Sequence, residues 1–125
     1  MKEKLIFIVE DDEMMSEMLS DYISNNAMNK VLAFGTGEEC LQNLNQNPDV
    51  IILDYNLNLV EPEAANGLEI LEQIKKIDNG ICVIMLSSQE QYGKALQTIV
   101  KGAIEYVVKD SEAFNKIGRI LNSLN

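Results

Sequence analysis

The 125-residue sequence predicts one α/β domain in which a parallel sheet is covered by helices on both faces. Five short apolar runs recur along the chain, three of them are apolar without a break, and the stretches between them change to helical periodicity. Unbroken apolar runs mean burial on both faces, as in the central strands of a parallel sheet.

The first run, Leu5 to Val9, ends in Glu10-Asp11-Asp12-Glu13. Met15, Leu19, Tyr22 and Ile23 then mark a helix, with Asp12 as its N-cap. Met14, Met15 and Met18 cluster on that helix; core packing is the default reading and a pliable partner surface the alternative. The second run, Lys30 to Phe34, is mixed, as an edge strand would be. Thr36 followed by Glu39 is a capping box for a second helix. Val50 to Leu53 is the third run and ends in Asp54; a long loop, Asn56 to Asn66, leads from it to a helix marked by Leu68, Leu71 and Ile74. The fourth run, Ile81 to Leu86, ends in Ser87 and Ser88, and Ser88 followed by Gln91 is a second capping box. Ala95, Leu96 and Ile99 lie at helical spacing after it. The fifth run, Ile104 to Val108, is again mixed, and Phe114, Ile117, Leu121 and Leu124 close the chain as a helix. Five βα units with right-handed crossovers make a doubly wound sandwich, a single domain over residues 1–125.

Lys and Arg number 10 against 20 Asp and Glu, a formal charge of -10. Nucleic-acid surfaces gain affinity from Lys and Arg neutralising phosphates, so this balance argues against one and favours a metal ion or basic partners. The chain has no His. That excludes a Ser-His-Asp triad, a Cys-His pair, His-ligated zinc and any phosphohistidine made within the chain. Cys40 and Cys82 form no CxxC pair and are expected to be small buried hydrophobes rather than a disulfide. Leu5 to Val9 is too short for a signal segment or a membrane span, so a cytoplasmic protein is expected.

In an open parallel sheet, function collects beyond the carboxyl ends of the strands. There the sequence places Glu10-Asp11-Asp12-Glu13, Asp54, Ser87-Ser88 and Lys109. Two carboxylates about 4 Å apart at an effective dielectric near 20 repel by about 4 kcal/mol. A hard divalent cation offsets that, and Mg²⁺ takes one or two carboxylates plus waters and phosphate oxygens. Lys109 adds positive charge, and the Ser87 hydroxyl can donate to a phosphoryl oxygen. A carboxylate nucleophile, a metal, a lysine and a hydroxyl together suit phosphoryl transfer to an aspartate.

From Lys4 to about Leu124 the chain resembles the receiver domains of bacterial response regulators, on Glu10, Asp11, Asp54, Ser87, Lys109 and the run Lys101-Gly-Ala-Ile-Glu-Tyr-Val-Val-Lys109. The resemblance implies a flavodoxin-like sheet of strand order 2-1-3-4-5 and a phosphoryl group received on Asp54 from a phosphohistidine of a sensor histidine kinase or histidine phosphotransfer protein. It further implies Mg²⁺ held by Glu10, Asp11, Asp54 and the backbone carbonyl of Asn56. Lys109 and Ser87 would assist the transfer, with Ser87 and Tyr106 as the switch pair. Catalysis would be confined to the domain's own phosphorylation and dephosphorylation. The surface of the fourth helix, fifth strand and fifth helix would change on phosphorylation, with Ala95, Leu96 and Ile99 as a docking or homodimer face.

Two features depart from that family. The Asn56–Asn66 loop is longer than usual, its Glu61 and Glu63 expected to be solvated, and Asp110 follows Lys109 where a proline, often cis, is usual. They keep a second reading open, a receiver fold that docks without being phosphorylated. A flavodoxin-like carrier of FMN is the other rival; Glu10 to Glu13 would repel the phosphate that such a carrier binds after its first strand.

Overall fold

A computed structural model describes residues 3–57, 62–88 and 92–124. The elements alternate throughout: β1 (Lys4–Val9), α1 (Glu13–Ser24), β2 (Asn29–Phe34), α2 (Gly37–Gln42) with a 3-10 turn at Leu44–Gln46, β3 (Val50–Asp54), α3 (Gly67–Ile77), β4 (Cys82–Ser87), α4 (Tyr92–Val100), β5 (Glu105–Val108) and α5 (Ala113–Ser123). The five strands are parallel in the order β2-β1-β3-β4-β5. The mixed runs are thus the edges and the unbroken ones the centre, as their composition demands.

Strand residues alternate faces, and the core divides accordingly. Phe7, Val9, Ile51, Leu53, Val83 and Met85 pack with Cys40 of α2 and with Ile70, Leu71 and Ile74 of α3. Ile6, Ile8, Ile52, Ile84, Leu86 and Val107 pack on the other face with Leu19 and Ile23 of α1 and Ile117 and Leu121 of α5. Leu68 backs the first cluster; Met15, Phe114 and Leu124 back the second.

Local signals hold in most places. Asp12 caps α1, its carboxylate accepting from the Met15 N–H at 3.2 Å. Thr36 accepts from the Glu39 N–H at 3.2 Å, but its hydroxyl, rather than its backbone N–H, meets the Glu39 carboxylate at 3.4 Å. A reciprocal capping box forms instead at Asn66 and Glu69. Gln91, and with it the Ser88 capping box, lies outside the described residues.

Two expectations are corrected. Met14 and Met18 are exposed, at 72% and 52%, because only Met15 of that cluster lies on the stripe of α1 that Leu19 and Ile23 define. Cys82, at the start of β4, is half-buried rather than enclosed. Cys40 is fully buried, and burial pushes its thiol up to about 12, so it is inert as a nucleophile. Both cysteines are free thiols. Among the described residues no helix is long and apolar enough to cross a membrane.

Candidate functional site

The carboxyl ends of β1, β3 and β4 and the start of the β5–α5 loop bring the predicted groups together. Asp54 is the last residue of the central strand β3 and is 1% exposed. Its Oδ1 accepts from the Asn56 N–H at 3.1 Å, which folds the chain after β3 back over the carboxylate. Its Oδ2 has no hydrogen-bond partner among the described residues. Glu10 is equally buried; its Oε2 accepts from the Asp12 N–H at 3.2 Å, and its Oε1 faces Lys109.

Lys109 reaches both carboxylates, with Nζ 2.7 Å from Glu10 Oε1 and 3.3 Å from Asp54 Oδ1. It is set there by its backbone, whose N–H donates to the Ser87 carbonyl at 2.8 Å. Burial lowers the Lys109 pKa, but hydrogen bonding and charge from Glu10 and Asp54 outweigh it and hold the ammonium above its usual value. Asp54 is pushed up from 3.8 to about 8, first by burial and then by the adjoining Glu10 carboxyl, against the opposing pull of Lys109 and the Asn56 N–H.

Glu10, Asp11 and Asp54 each offer an oxygen within 4.8 Å of the others. A buried Asp54 oxygen without a partner, a half-exposed Asp11 and all-oxygen donors suit a hard divalent cation such as Mg²⁺. A cleft of about 400 Å³ opens beside Glu10 and Asp11, lined further by Glu13, Glu17, Glu39 and Leu57.

Ser87, the last residue of β4, is fully buried. Tyr106 is half-buried against the first core cluster. In the β4–β5 register Met85 pairs with Tyr106 and Ser87 with Val108, so Ser87 and Tyr106 share one face of the sheet, one step apart. No described peptide bond is cis, and Asp110 continues the turn with its N–H on the Val108 carbonyl at 2.8 Å. The resemblance's usual proline is thus replaced by an ordinary turn residue. Glu63 is exposed, as expected, while Glu61 lies outside the described residues.

Sequence reasoning missed three participants. A Cβ on Gly67 would fall 2.3 Å from the Asp54 carbonyl oxygen and 2.7 Å from Tyr55 Cα, so only glycine lets α3 begin against the end of β3. Leu57 is buried in the first core cluster, and Lys94 sits over the ring of Tyr55. Gly67 was detectable from the Asn66-Gly-Leu-Glu69 cap pattern; the other two depend on tertiary placement and left no sequence signal.

Residues 6–121 match the response regulator receiver domain family. The chemotaxis protein CheY of Bacillus subtilis is 28% identical over 121 residues, covering 96% of this chain and 97% of that protein. The protein-glutamate methylesterase/protein-glutamine glutaminase of the same organism is 34% identical over 110 residues; the match covers 85% of this chain but only 29% of that enzyme. Among solved structures, the BeF3-activated DrrB receiver domain superposes with a TM-score of 0.79 at 27% identity, covering 98% of this chain and 97% of that one.

Proposed function

From the premise that the chain belongs to the response regulator receiver domain family, we propose that Asp54 accepts a phosphoryl group from a partner's phosphohistidine in a Mg²⁺-dependent reaction and thereby switches the α4–β5–α5 surface. The observation that carries this reading is the buried Asp54 carboxylate with one oxygen uncommitted, beside Asp11 and Glu10 and within 3.3 Å of Lys109.

The residues divide the work by position. Asp54 Oδ2 attacks phosphorus while the bond from phosphorus to the donor imidazole nitrogen breaks; the imidazole leaves and takes up a proton, and Asp54 becomes an acyl phosphate. Mg²⁺, with Glu10, Asp11, Asp54 and the Asn56 carbonyl as its proposed ligands, would neutralise charge on the transferring oxygens. Lys109 holds the orientation of the acceptor before transfer and offers its ammonium to a phosphoryl oxygen afterwards. Both oxygens of Glu10 already face donors, the Asp12 N–H and the Lys109 ammonium, so a metal would have to share that carboxylate with them.

Ser87 and Tyr106 carry the response. Drawing the Ser87 hydroxyl toward a phosphoryl oxygen would vacate space on the face that Tyr106 shares, letting the ring turn inward. Next to them α4 leaves Leu96, Ile99 and Val100 exposed, a face suited to a partner or a second copy of the chain. A charge-assisted hydrogen bond of about 1.5 to 3 kcal/mol shifts a balanced pair of states tenfold or more.

Mass spectrometry after incubation with acetyl phosphate and Mg²⁺ tests the reading. One added phosphate in the parent and none in Asp54→Asn is expected. A parent chain that gains no phosphate under any donor would leave the phosphorylation-independent docking module instead.

A further inference from the structure

Lys94, in the first turn of α4, places its Nζ 5.2 Å from the centroid of the Tyr55 ring. Tyr55 directly follows Asp54. Its N–H donates to the Leu86 carbonyl at 2.9 Å, and its own carbonyl accepts from the Gly67 N–H at 2.8 Å. The next residue, Asn56, donates its N–H to Asp54 Oδ1 at 3.1 Å. One aromatic ring and one peptide therefore separate the Lys94 ammonium from the acceptor carboxylate.

The anchoring of α4 gives this contact weight. Helix α3 buries Ile70, Leu71 and Ile74, and α5 buries Ala113, Ile117 and Leu121. Among the described side chains of α4 only Thr98 is buried, and its hydroxyl donates back to the Lys94 carbonyl at 2.7 Å rather than filling core volume. Leu96, Ile99 and Val100 face outward. With so little apolar burial, the position of α4 depends more on polar and cation–π contacts than that of its neighbours does.

We infer that Lys94 is a positioning residue that ties α4 to the acceptor loop through Tyr55, making the outer face of α4 and the phosphoryl affinity of Asp54 one coupled equilibrium. The functional half of this rests on Asp54 being the phosphoacceptor. A partner that shifts α4 by binding Leu96, Ile99 and Val100 drags Lys94 across the Tyr55 ring and disturbs the Asn56 bond to Asp54. By reciprocity, phosphorylation changes that partner's affinity by the same factor. On this proposal the tie, present with Asp54 unmodified, loosens on phosphorylation and so favours the resting arrangement.

The test is a double-mutant cycle of Lys94→Met and Tyr55→Leu, with Lys94→Arg and Tyr55→Phe as conservative controls. Two readouts are taken, beryllofluoride affinity in the presence of Mg²⁺ and the amide NMR shifts of ligand-free protein. Each disruptive change should raise beryllofluoride affinity roughly two- to five-fold, the span of an exposed cation–π contact, and the double variant should gain no more than either alone. Lys94→Met should also shift the Asn56 amide in ligand-free protein, and the two controls should track the parent. Additive effects, a fall in affinity, or an unmoved Asn56 amide would overturn the tie. Failure of the parent to bind beryllofluoride at all would instead refute Asp54 as phosphoacceptor, and the Asn56 amide would still decide the tie.

Discussion

Lys109 bridges the two buried carboxylates, with its ammonium 2.7 Å from Glu10 and 3.3 Å from Asp54. Removing one member of a fully buried pair costs about 3 to 5 kcal/mol because a charge is left uncompensated. Here the lysine side chain keeps 20% of its surface in contact with solvent and the carboxylates can take up a proton, so Lys109→Ala should cost about 2 kcal/mol. It should also retain Mg²⁺ binding while losing the phosphorylated species. Urea unfolding together with intact-mass analysis after acetyl phosphate treatment checks both halves.

The raised Asp54 pKa makes a pH prediction whose sign is opposite to that of an ordinary salt-bridged aspartate. Between 3.8 and about 8 the folded chain holds on Asp54 a proton that the unfolded chain has released. Stability therefore falls as pH rises through that window, since the folded state binds more protons than the unfolded one. In chelator, the parent should be less stable at pH 8 than at pH 6, and Asp54→Asn should flatten the dependence. A parent whose unfolding midpoint at pH 8 equals or exceeds that at pH 6, with Asp54→Asn behaving identically, contradicts it.

Divalent metal should reverse that loss. At 100 times its Kd, Mg²⁺ adds about 2.7 kcal/mol to the folded state. Asp11→Asn should abolish the gain because it removes one of the three clustered carboxylates proposed to hold the metal. The check is a melting-temperature titration at pH 8, where a flat parent curve into the millimolar range excludes the site.

The strand order and the two core faces were legible because unbroken and mixed apolar runs report directly whether a strand is central or at an edge. Asp54, Glu10 and Lys109 were legible because they terminate such runs, and a polar residue at the end of a buried strand has few other roles. Side-chain exposure on α1 was only half legible: the Met15, Leu19 and Ile23 stripe leaves Met14 and Met18 to one side, yet the three methionines span only about 100° of the helix and so could share one apolar face. The Lys94–Tyr55 contact joins residues 39 apart in sequence, a placement that only the crossover of α3 and β4 creates.

Gly67 should tolerate no side chain. Its hypothetical Cβ meets backbone of Asp54 and Tyr55 rather than a movable side chain, so α3 or the end of β3 must shift. Gly67→Ala should cost about 3 kcal/mol, the upper range for overpacking, and should lower the rate of Asp54 phosphorylation in the fraction that folds. Gly93→Ala is the control, having nothing within 4 Å of its added Cβ.

Ser87 and Tyr106 lie on the same face of adjacent strands, and under the proposed function that placement would separate accepting the phosphoryl group from answering it. Ser87→Ala keeps Asp11, Asp54 and Lys109 and so should still be labelled, but without a hydroxyl to draw toward the phosphoryl oxygen it should not release space for the Tyr106 ring. Ser87→Thr retains the hydroxyl and should restore the response. Tyr106→Leu should accept phosphate at the parent rate yet leave the α4–β5–α5 face in its resting form, because the group that fills the vacated space is absent. Beryllofluoride-dependent amide shifts over residues 92–108 read this directly. They should be large in the parent and Ser87→Thr, and small in Ser87→Ala and Tyr106→Leu, with Asp54 saturated in all four. Equal shifts in all four proteins would show that the surface responds to Asp54 by another route.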